Sequence, residues 1–248
     1  MIACSGLTRR FGAKVVVDAI SFEVAPGSVY ALLGPNGAGK STTLKLLTGA
    51  LRPSSGSVTV AGLDVAQGQN ASALKRCMGV LPEGLGLFDQ LSVEEHLNLS
   101  GAMYGLANHE TRQRTDQLLA LLSLEEGRHA LSSQCSQGMR KKTALAMALL
   151  HNPEVLFLDE PFEGLDPYSA ESVGDLLGSL AERGKTILFT SHSLGHVERV
   201  ASHCLLLQHG ALVLDAPMES LPSDLRSLYF ELAETPHSVE LPWLGSRP

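Results

Sequence analysis

The chain has 248 residues and an apolar fraction of 44%, which is enough for one large domain or two small ones with a sizeable core. The formal net charge of −7 argues against a nucleic-acid-binding protein, because such proteins usually present a basic face. The four cysteines are far apart and lack the spacing of a metal site, so we expect free thiols in a reducing compartment. The longest apolar run, Ala144 to Leu150, is much shorter than a membrane span, which predicts a soluble chain.

The first part of the chain is predicted to form short strands. Within residues 2–33, β-branched side chains are frequent from Val15 to Val24, and Pro26-Gly27 marks a turn. The segment from Ser28 to Leu33 is apolar and has the character of a buried strand. This predicted strand leads directly into a glycine-rich motif.

The glycine-rich motif matches the pattern of a phosphate-binding loop, and a helical run from Thr42 to Leu51 follows it. Glycines leave backbone N–H groups free to meet phosphate oxygens, and the helix N-terminus adds the positive end of its dipole. Lys40 supplies a positive charge for the β- and γ-phosphates, and Ser41 offers a hydroxyl to Mg²⁺. The residues of the loop are Gly34, Pro35, Asn36, Gly37, Ala38, Gly39, Lys40, Ser41 and Thr42.

Two more strands and then a helical region are predicted after the loop. Ser57 to Ala61 alternates as a strand should, and Cys77 to Leu81 is a short apolar strand. Ser92 and Glu95 form a capping-box pattern, which predicts the start of a helix. From there to Leu150 the sequence is mostly helical in character, so we expect a helical insert over residues 84–151.

Strands return in the second half of the chain, at Val155 to Leu158, Thr186 to Thr190 and Cys204 to Leu207. Helical stretches separate them, and this alternation predicts an α/β fold with a mostly parallel sheet.

Polar side chains follow two of these strands. Asp159 stands where an acid can hold Mg²⁺ through water, and Glu160 can activate water for attack on the γ-phosphate. His192 follows another strand and can hydrogen-bond a γ-phosphate. Taken alone, the acids can equally be a solvated strand end, and the histidine can be structural.

A second phosphate-binding pattern precedes a basic, alanine-rich helix predicted from Arg140 to Leu150. Ser136 and Gly138 would lie at its N-terminus, where a hydroxyl and free N–H groups can bind phosphate or simply cap the helix. Asp166 belongs to a Gly-Leu-Asp-Pro turn that says little alone.

In this order and spacing, the motifs resemble those of the ATP-binding subunit of an ABC transporter, over about residues 2–230. The likeness is to the exporter-type branch that has separate membrane subunits. It implies an α/β fold with a P-loop NTPase core, an N-terminal antiparallel β subdomain and an inserted α-helical subdomain. The implied boundaries are 1–83 and 152–215 for the core, 84–151 for the insert, 216–234 for a C-terminal helical extension and 235–248 for a loose tail.

The resemblance also implies a role for each motif. Phe11 would stack on adenine, Asp159 and Ser41 would hold magnesium, and Glu160 would be the catalytic base with His192 as its switch histidine. Glu83 occupies the place of the Q-loop glutamine, which contacts magnesium or water. The signature residues Ser136 and Gly138, together with Asp166 of the D-loop, would bind the ATP of a second subunit.

Three features depart from the family pattern. Glu83 replaces a glutamine, and Cys135, Gln137 and Met139 alter the signature while Ser136 and Gly138 remain. Phe162-Glu163 replaces the usual small pair, and the sequence provides no physical account of that change.

The implied function is an ATP-hydrolysing motor subunit that dimerises around two ATP and Mg²⁺ and drives transmembrane permease subunits, in export. It would act at the cytoplasmic face of the membrane, held there by the membrane subunits, with no nucleic-acid partner. The apolar side chains of Leu85, Leu87 and Phe88 lie where the family receives a short helix of the membrane subunit. They can also cap the core of the helical insert.

Two alternatives come from other classes of protein. A soluble ABC-type ATPase of DNA repair would carry a long coiled coil before Ser136, and one of translation usually carries two cassettes; neither feature occurs here. A regulatory module that senses ATP without turnover would be expected to lack Glu160 or His192, and both are present.

Overall fold

The computed structural model describes residues 1–221 and 224–232 of the chain. The strands are β1 (Ile2–Phe11), β2 (Lys14–Val24), β3 (Val29–Leu33), β4 (Ser55–Val60), β5 (Leu63–Asp64), β6 (Met78–Leu81), β7 (Val155–Leu158), β8 (Thr186–Ser191), β9 (His203–Gln208) and β10 (Ala211–Pro217). The helices are α1 (Lys40–Leu47), α2 (Ala71–Cys77), α3 (Val93–Tyr104), α4 (Asn108–Leu121), α5 (Gln137–Leu150), α6 (Pro167–Glu182), α7 (Leu194–Val200) and α8 (Leu225–Leu232).

The larger sheet is six-stranded, in the order β10-β9-β3-β8-β7-β6. Its neighbours run parallel from β9 to β6, and only the β10 edge pairs antiparallel. Strands β3, β7 and β8 are buried at every position, because packed elements cover both faces of the sheet. The carboxyl ends of these three strands meet at one edge, where ligands bind in sheets of this kind.

Alternate residues of the central strands enter two different cores. In β3, Ala31 and Leu33 belong to one apolar cluster, while Tyr30 and Leu32 belong to the other. This is the period of two that a strand imposes on its side chains. The sheet therefore separates two cores, one on each face.

A four-stranded antiparallel sheet, in the order β2-β1-β4-β5, lies over one of these cores. Strand β1 pairs with β2 from Ile2 opposite Val24 to Phe11 opposite Lys14, with register shifts that bend the pair. Apolar side chains of this hairpin, such as Leu7 and Val17, pack in the same cluster as Leu32 of the larger sheet.

Helices α3, α4 and α5 pack on one another and contribute to the core on the opposite face. The start of α3 has the predicted capping box: Glu95 N donates to Ser92 Oγ at 3.3 Å, and Ser92 N donates to Glu95 Oε2 at 2.7 Å. Val93, Leu97 and Leu119 are fully buried there. The helical region between β6 and β7 is thus built as the sequence indicates.

Some element bounds differ from expectation. The helix after the phosphate loop begins at Lys40 and ends at Leu47, because Gly49 in a left-handed conformation follows it. Strand β10 extends to Pro217, two residues into the segment predicted as a helical extension, and α8 lies later in that segment. The predicted tail at 235–248 lies outside the described residues, and the division into domains stays a prediction.

Within residues 1–221 and 224–232, no helix is long and apolar enough to cross a bilayer.

Candidate active site

The loop between β3 and α1 lies close against neighbouring backbone, and two of its glycines make that possible. Gly34 has φ 152°, and a Cβ there would lie 2.4 Å from the carbonyl oxygen of Leu207. Gly39 has φ 109°, and a Cβ there would lie 2.7 Å from the carbonyl oxygen of Val16. Any other residue would push the loop away from the sheet, so the motif depends on tertiary contacts as well as on phosphate access.

Lys40 is only 7% exposed although it carries a charge. Its Nζ donates to the carbonyl oxygens of Gly34 at 2.7 Å and Pro35 at 3.3 Å, and lies 3.9 Å from Glu160 Oε1. Burial lowers the pKa of Lys40, and the charges of Glu160 and Asp159 act in the opposite direction. The loop carbonyl oxygens therefore hold the ammonium in place, and it faces the two acids that follow β7.

Asp159 is almost fully buried and is held by two hydroxyl groups. Thr190 Oγ1 donates to its Oδ1 at 2.6 Å, and Ser41 Oγ donates to the same oxygen at 3.2 Å. A hydroxyl and a carboxylate are oxygen ligands of the type that Mg²⁺ prefers. Ser41 and Asp159 come together here from positions far apart in the sequence.

Glu160 has an unusual backbone and a side chain with charged neighbours. Its φ of 46° lies in the left-handed region, which costs a non-glycine residue about 1–3 kcal/mol. Its N–H donates to Thr190 Oγ1 at 2.9 Å, and its carbonyl oxygen accepts from Lys141 Nζ at 2.9 Å and from Glu163 N at 3.2 Å. Its Oε2 lies 3.0 Å from His192 Nδ1 and accepts from His192 N at 3.3 Å.

These groups share one cavity of about 660 Å³ at the carboxyl edge of the larger sheet. Ten of the predicted site residues line it: Asn36, Gly37, Gly39, Lys40, Ser41, Thr42, Glu83, Asp159, Glu160 and His192. Gly34, Pro35 and Ala38 complete the loop beneath it. Five residues that sequence reasoning did not propose also line it: Lys14, Val16, Lys45, Lys141 and Glu163.

Glu83, predicted as a magnesium ligand, lies at the cavity but faces a lysine. Its Oε2 is 3.5 Å from Lys45 Nζ, and both side chains are more than half exposed. An ion pair this exposed contributes little to stability, so it does not hold Glu83 away from a bound ion. Its role toward magnesium stays a prediction.

Phe11, the predicted adenine-stacking residue, lies beside the cavity. It ends β1 opposite Lys14, which lines the cavity, and its side chain is 46% exposed. The guanidinium of Arg9 lies 4.5 Å from the centre of its ring, in cation–π geometry. The Phe11 ring therefore lies at the rim of the cavity, with the Arg9 guanidinium packed against it.

The predicted signature and D-loop residues are not among those that line the cavity in this chain. Ser136 caps α5, since its Oγ accepts from Met139 N at 3.2 Å, and Asp166 caps α6, since its Oδ1 accepts from Ser169 N at 3.0 Å. These bonds with Ser169 lower the pKa of Asp166. Ser136 and Asp166 are exposed at the surface, and Gly138 lies near the carbonyl oxygen of Gly164.

Phe162, for which the sequence provides no account, fills a space in the core. It is 5% exposed, its ring meets Phe189 edge-to-face at 5.6 Å, and it lies 4.6 Å from the ring of His196. Glu163, its neighbour, remains exposed at the cavity. A large ring at this position thus anchors the turn after Glu160 to β8.

Thr190 and Lys141 are the functional candidates that sequence reasoning missed. Thr190 bonds both Asp159 and the Glu160 backbone. Its place near the end of a predicted strand was visible in the sequence, but the pairing of that strand with β7 was not. Lys141 carried no local signal, because only the packing of α5 places its ammonium at the cavity.

A phosphate loop follows a central strand of the parallel sheet, and two acids follow β7 at the same edge, one strand beyond β8. This arrangement defines a P-loop nucleoside triphosphatase. A model of the ABC transporter family matches residues 17–163. The chain belongs to the ABC transporter family.

Similar proteins agree with this assignment. The "Nod factor export ATP-binding protein I" of Burkholderia thailandensis is 39% identical over 218 residues, which is 88% of this chain and 71% of the relative. A structure described as the ATP binding subunit of an ABC transporter has a TM-score of 0.86 at 30% identity, covering 93% of this chain and 98% of the other. A cassette described as dimeric and bound to ADP and Pi has a TM-score of 0.82 at 22% identity, covering 89% and 100%, and shows the fold alone.

The comparisons confirm three predictions from the sequence. The resemblance to an ABC transporter ATP-binding subunit is confirmed, as is the α/β P-loop fold with its antiparallel sheet and helical region. The chain is an ATP-binding subunit with ATPase activity, in the motor role of this family, and the non-transport alternatives are not favoured.

Proposed function

We propose that this ATPase subunit powers export: it pairs with a second ATPase subunit and drives transmembrane permease subunits from the cytoplasmic face of the membrane. The observation that carries the mechanism is the carboxylate of Glu160, held between His192 and Lys40 at the phosphate loop. The direction of transport is supported by the relative described as an export ATP-binding protein.

The phosphate loop and Lys40 would bind the β- and γ-phosphates of ATP. The backbone N–H groups at the start of α1 and the positive end of its dipole favour anionic oxygens. The phosphate oxygens of ATP would replace the carbonyl oxygens of Gly34 and Pro35 as acceptors for the Lys40 ammonium. Phe11 at the rim, whose side chain is 46% exposed, would stack on the adenine.

Ser41 and Asp159 would hold Mg²⁺, with Glu83 as a further oxygen ligand. Among the described residues, no group of three or more His, Cys, Asp or Glu side chains converges as a complete metal site. This fits magnesium in a phosphate site, where nucleotide oxygens and water supply most of the ligands. When bound, the ion neutralises charge that develops on the phosphate oxygens.

Glu160 would act as the general base that takes a proton from the attacking water. His192, whose Nδ1 meets Glu160 Oε2, would orient the carboxylate and hydrogen-bond the γ-phosphate. Thr190 would fix the relative positions of the two acids, because its hydroxyl bonds Asp159 and the main chain of Glu160.

Ser136, Gly138 and Asp166 would complete the site of the second subunit. They lie at or near the N-termini of α5 and α6, outside the cavity of their own chain, and Ser136 and Asp166 face solvent. A helix N-terminus favours phosphate, which is what a bound ATP on the partner would present. The subunit has no nucleic-acid partner in this proposal, consistent with its net charge of −7.

The test is Glu160→Gln, compared with Glu154→Gln at the opposite end of the same strand. Removing a positioned base typically lowers the rate about 10²–10⁴-fold, so kcat of Glu160→Gln should fall by that order while ATP binding persists. Glu154→Gln should hydrolyse ATP like the original protein, because only the Glu154 main chain has a structural role there. Full turnover by Glu160→Gln would refute the assignment of the base.

The same variant tests the second subunit. ATP that stays bound without being hydrolysed should hold two ATPase subunits together. Glu160→Gln with ATP and Mg²⁺ should therefore sediment as a dimer. A monomer under those conditions would exclude a homodimer and point to a different chain as the second subunit.

A further inference from the structure

We propose that Lys141 is a positioning residue for ATP hydrolysis: its ammonium holds the main chain of Glu160 in the conformation that places the carboxylate in the cavity. This inference rests on the proposed role of Glu160 as the base. It adds Lys141, from the helix α5 that begins at the signature, to the residues that position Glu160 in the cavity.

The first observation is where the lysine lies. Lys141 is only 5% exposed, on the buried face of α5, and its Nζ donates to the Glu160 carbonyl oxygen at 2.9 Å. Burial lowers the pKa of Lys141, and the charges of Glu163, Asp159 and Glu160 act in the opposite direction. An ammonium that is buried this deeply needs compensating partners, and its hydrogen bond to the Glu160 carbonyl oxygen is one of them.

The second observation is what the contact restrains. Glu160 has φ 46°, a conformation that an L-residue keeps only when its surroundings hold it. Both of its main-chain polar groups are engaged: Thr190 Oγ1 accepts the N–H, while Lys141 and the N–H of Glu163 share the carbonyl oxygen. Lys141 supplies the charged bond of the three, and hydrogen bonds to charged groups are the stronger kind.

The third observation is the direction of the Lys141 ammonium, which distinguishes a role in positioning Glu160 from a role in binding phosphate. Lys141 lines the same cavity as Lys40, so it could act as a second cation for ATP. Its ammonium is directed at the Glu160 main chain, whereas Lys40 lies within the phosphate loop itself. A positioning role predicts a loss of kcat with ATP affinity retained, and a phosphate-binding role predicts the reverse.

The test is Lys141→Met in the full chain, which keeps the length of the side chain and removes its charge. We expect kcat to fall on the order of 10-fold to 10²-fold, since a small misplacement of a catalytic group costs this much, with the calorimetric ATP dissociation constant unchanged. Lys141→Arg, which keeps a cationic donor, should recover much of the rate. Lys185→Met is the matched control, because its ammonium also meets a main-chain oxygen, that of Asn152, but away from this cavity.

A double variant tests whether Lys141 acts through Glu160. In the Glu160→Gln background, Lys141→Met should leave the residual single-turnover rate unchanged, because residues that act as one unit are not additive. A further fall in that rate would overturn the proposal, as would an unchanged kcat or a weakened ATP affinity in Lys141→Met alone. Lys141→Gln takes the place of Lys141→Met if the latter melts below the assay temperature.

The outcomes also separate this inference from the proposed function. Full turnover by Glu160→Gln means that the assigned base is wrong. Loss of turnover in Glu160→Gln with normal kcat in Lys141→Met means that the base is right and the positioning role is wrong.

Discussion

Lys40 holds the phosphate loop together and, in the proposed function, also binds the phosphates of ATP. Its ammonium closes the loop by bonding the carbonyl oxygens of Gly34 and Pro35, and it faces the acids of β7 from one side of the cavity. The loop thus holds a buried cation whose partners are mostly weak dipoles. Phosphate oxygens are better partners for it, so binding of ATP is favoured by a charge that is already in place.

Lys40→Ala is expected to weaken ATP binding itself. The change removes the cation that compensates the phosphate charge and leaves the two loop carbonyls without their donor. The measurement is the ATP dissociation constant by calorimetry, with Lys185→Ala as a control that removes a lysine outside this cavity. Unchanged affinity in Lys40→Ala would contradict the role assigned to the loop.

At the scale of elements, strand ends of the larger sheet form the site, and the β1–β2 hairpin forms part of the rim of the cavity. Strands β3, β7 and β8 bring the loop, the two acids and His192 to one edge, since their carboxyl ends coincide in a parallel sheet. The β1–β2 hairpin places Phe11 and Lys14 at the border of the cavity. In the proposed function, the groups that bind phosphate and hydrolyse ATP therefore lie on the larger sheet, and the ring that stacks on adenine lies on the smaller one.

Phe11→Ala is expected to raise the Michaelis constant for ATP more than it lowers kcat. Base stacking on an aromatic ring is worth roughly 1–3 kcal/mol and acts about equally on the bound substrate and the transition state. Steady-state ATPase kinetics test this, with Phe230→Ala on α8 as a control that removes another exposed phenylalanine. If the kinetics of Phe11→Ala match those of the original protein, the ring only packs against Arg9.

At the scale of the whole molecule, we propose that the segment between β6 and α3 is the surface that contacts the membrane subunit. Leu85 and Leu87 pack against the core, whereas Phe88 is 56% exposed. The Phe88 N–H donates to the buried ring nitrogen of His96 at 2.8 Å, which fixes the backbone while the side chain faces outward. The Phe88 ring also stacks on that of His96, with 6.2 Å between the ring centres. Of the three predicted apolar residues, Phe88 is the most exposed and the best placed to contact a partner.

Phe88→Asp is expected to leave the subunit folded with basal ATPase near normal, and to uncouple it from the membrane subunit. A charge there cannot enter an apolar contact without a large desolvation cost, while the exposed side chain has little to lose in the free subunit. Pull-down and transport with the cognate partner test this, alongside a melting curve and Phe230→Asp as the control.

The outcomes for this surface differ clearly. Unfolding of Phe88→Asp would make the ring part of the core. Normal binding and transport would place the contact elsewhere on the molecule.

Much of the fold was predictable because its signals are local. Strand β7 coincides with the predicted Val155–Leu158, and the capping box at Ser92 forms as expected. Strand β10 was not predicted, although it begins with a short apolar run, Ala211 to Leu214; its antiparallel pairing with β9 is what identifies it as a strand. The bulk of Phe162 was unexplained because the space that it fills is made by Phe189 and His196, which lie later in the chain.

The sequence by itself determined the phosphate loop, the alternation of strands and helices, and the family, because each of these depends on neighbours along the chain. Only the tertiary structure decided how the acids are held. Thr190 reaches Asp159 and Glu160 because β8 lies next to β7 in the sheet, and Lys141 reaches Glu160 because α5 packs beside that strand end. These contacts depend on sheet order and helix packing, which long-range burial sets and which no short segment of the sequence encodes.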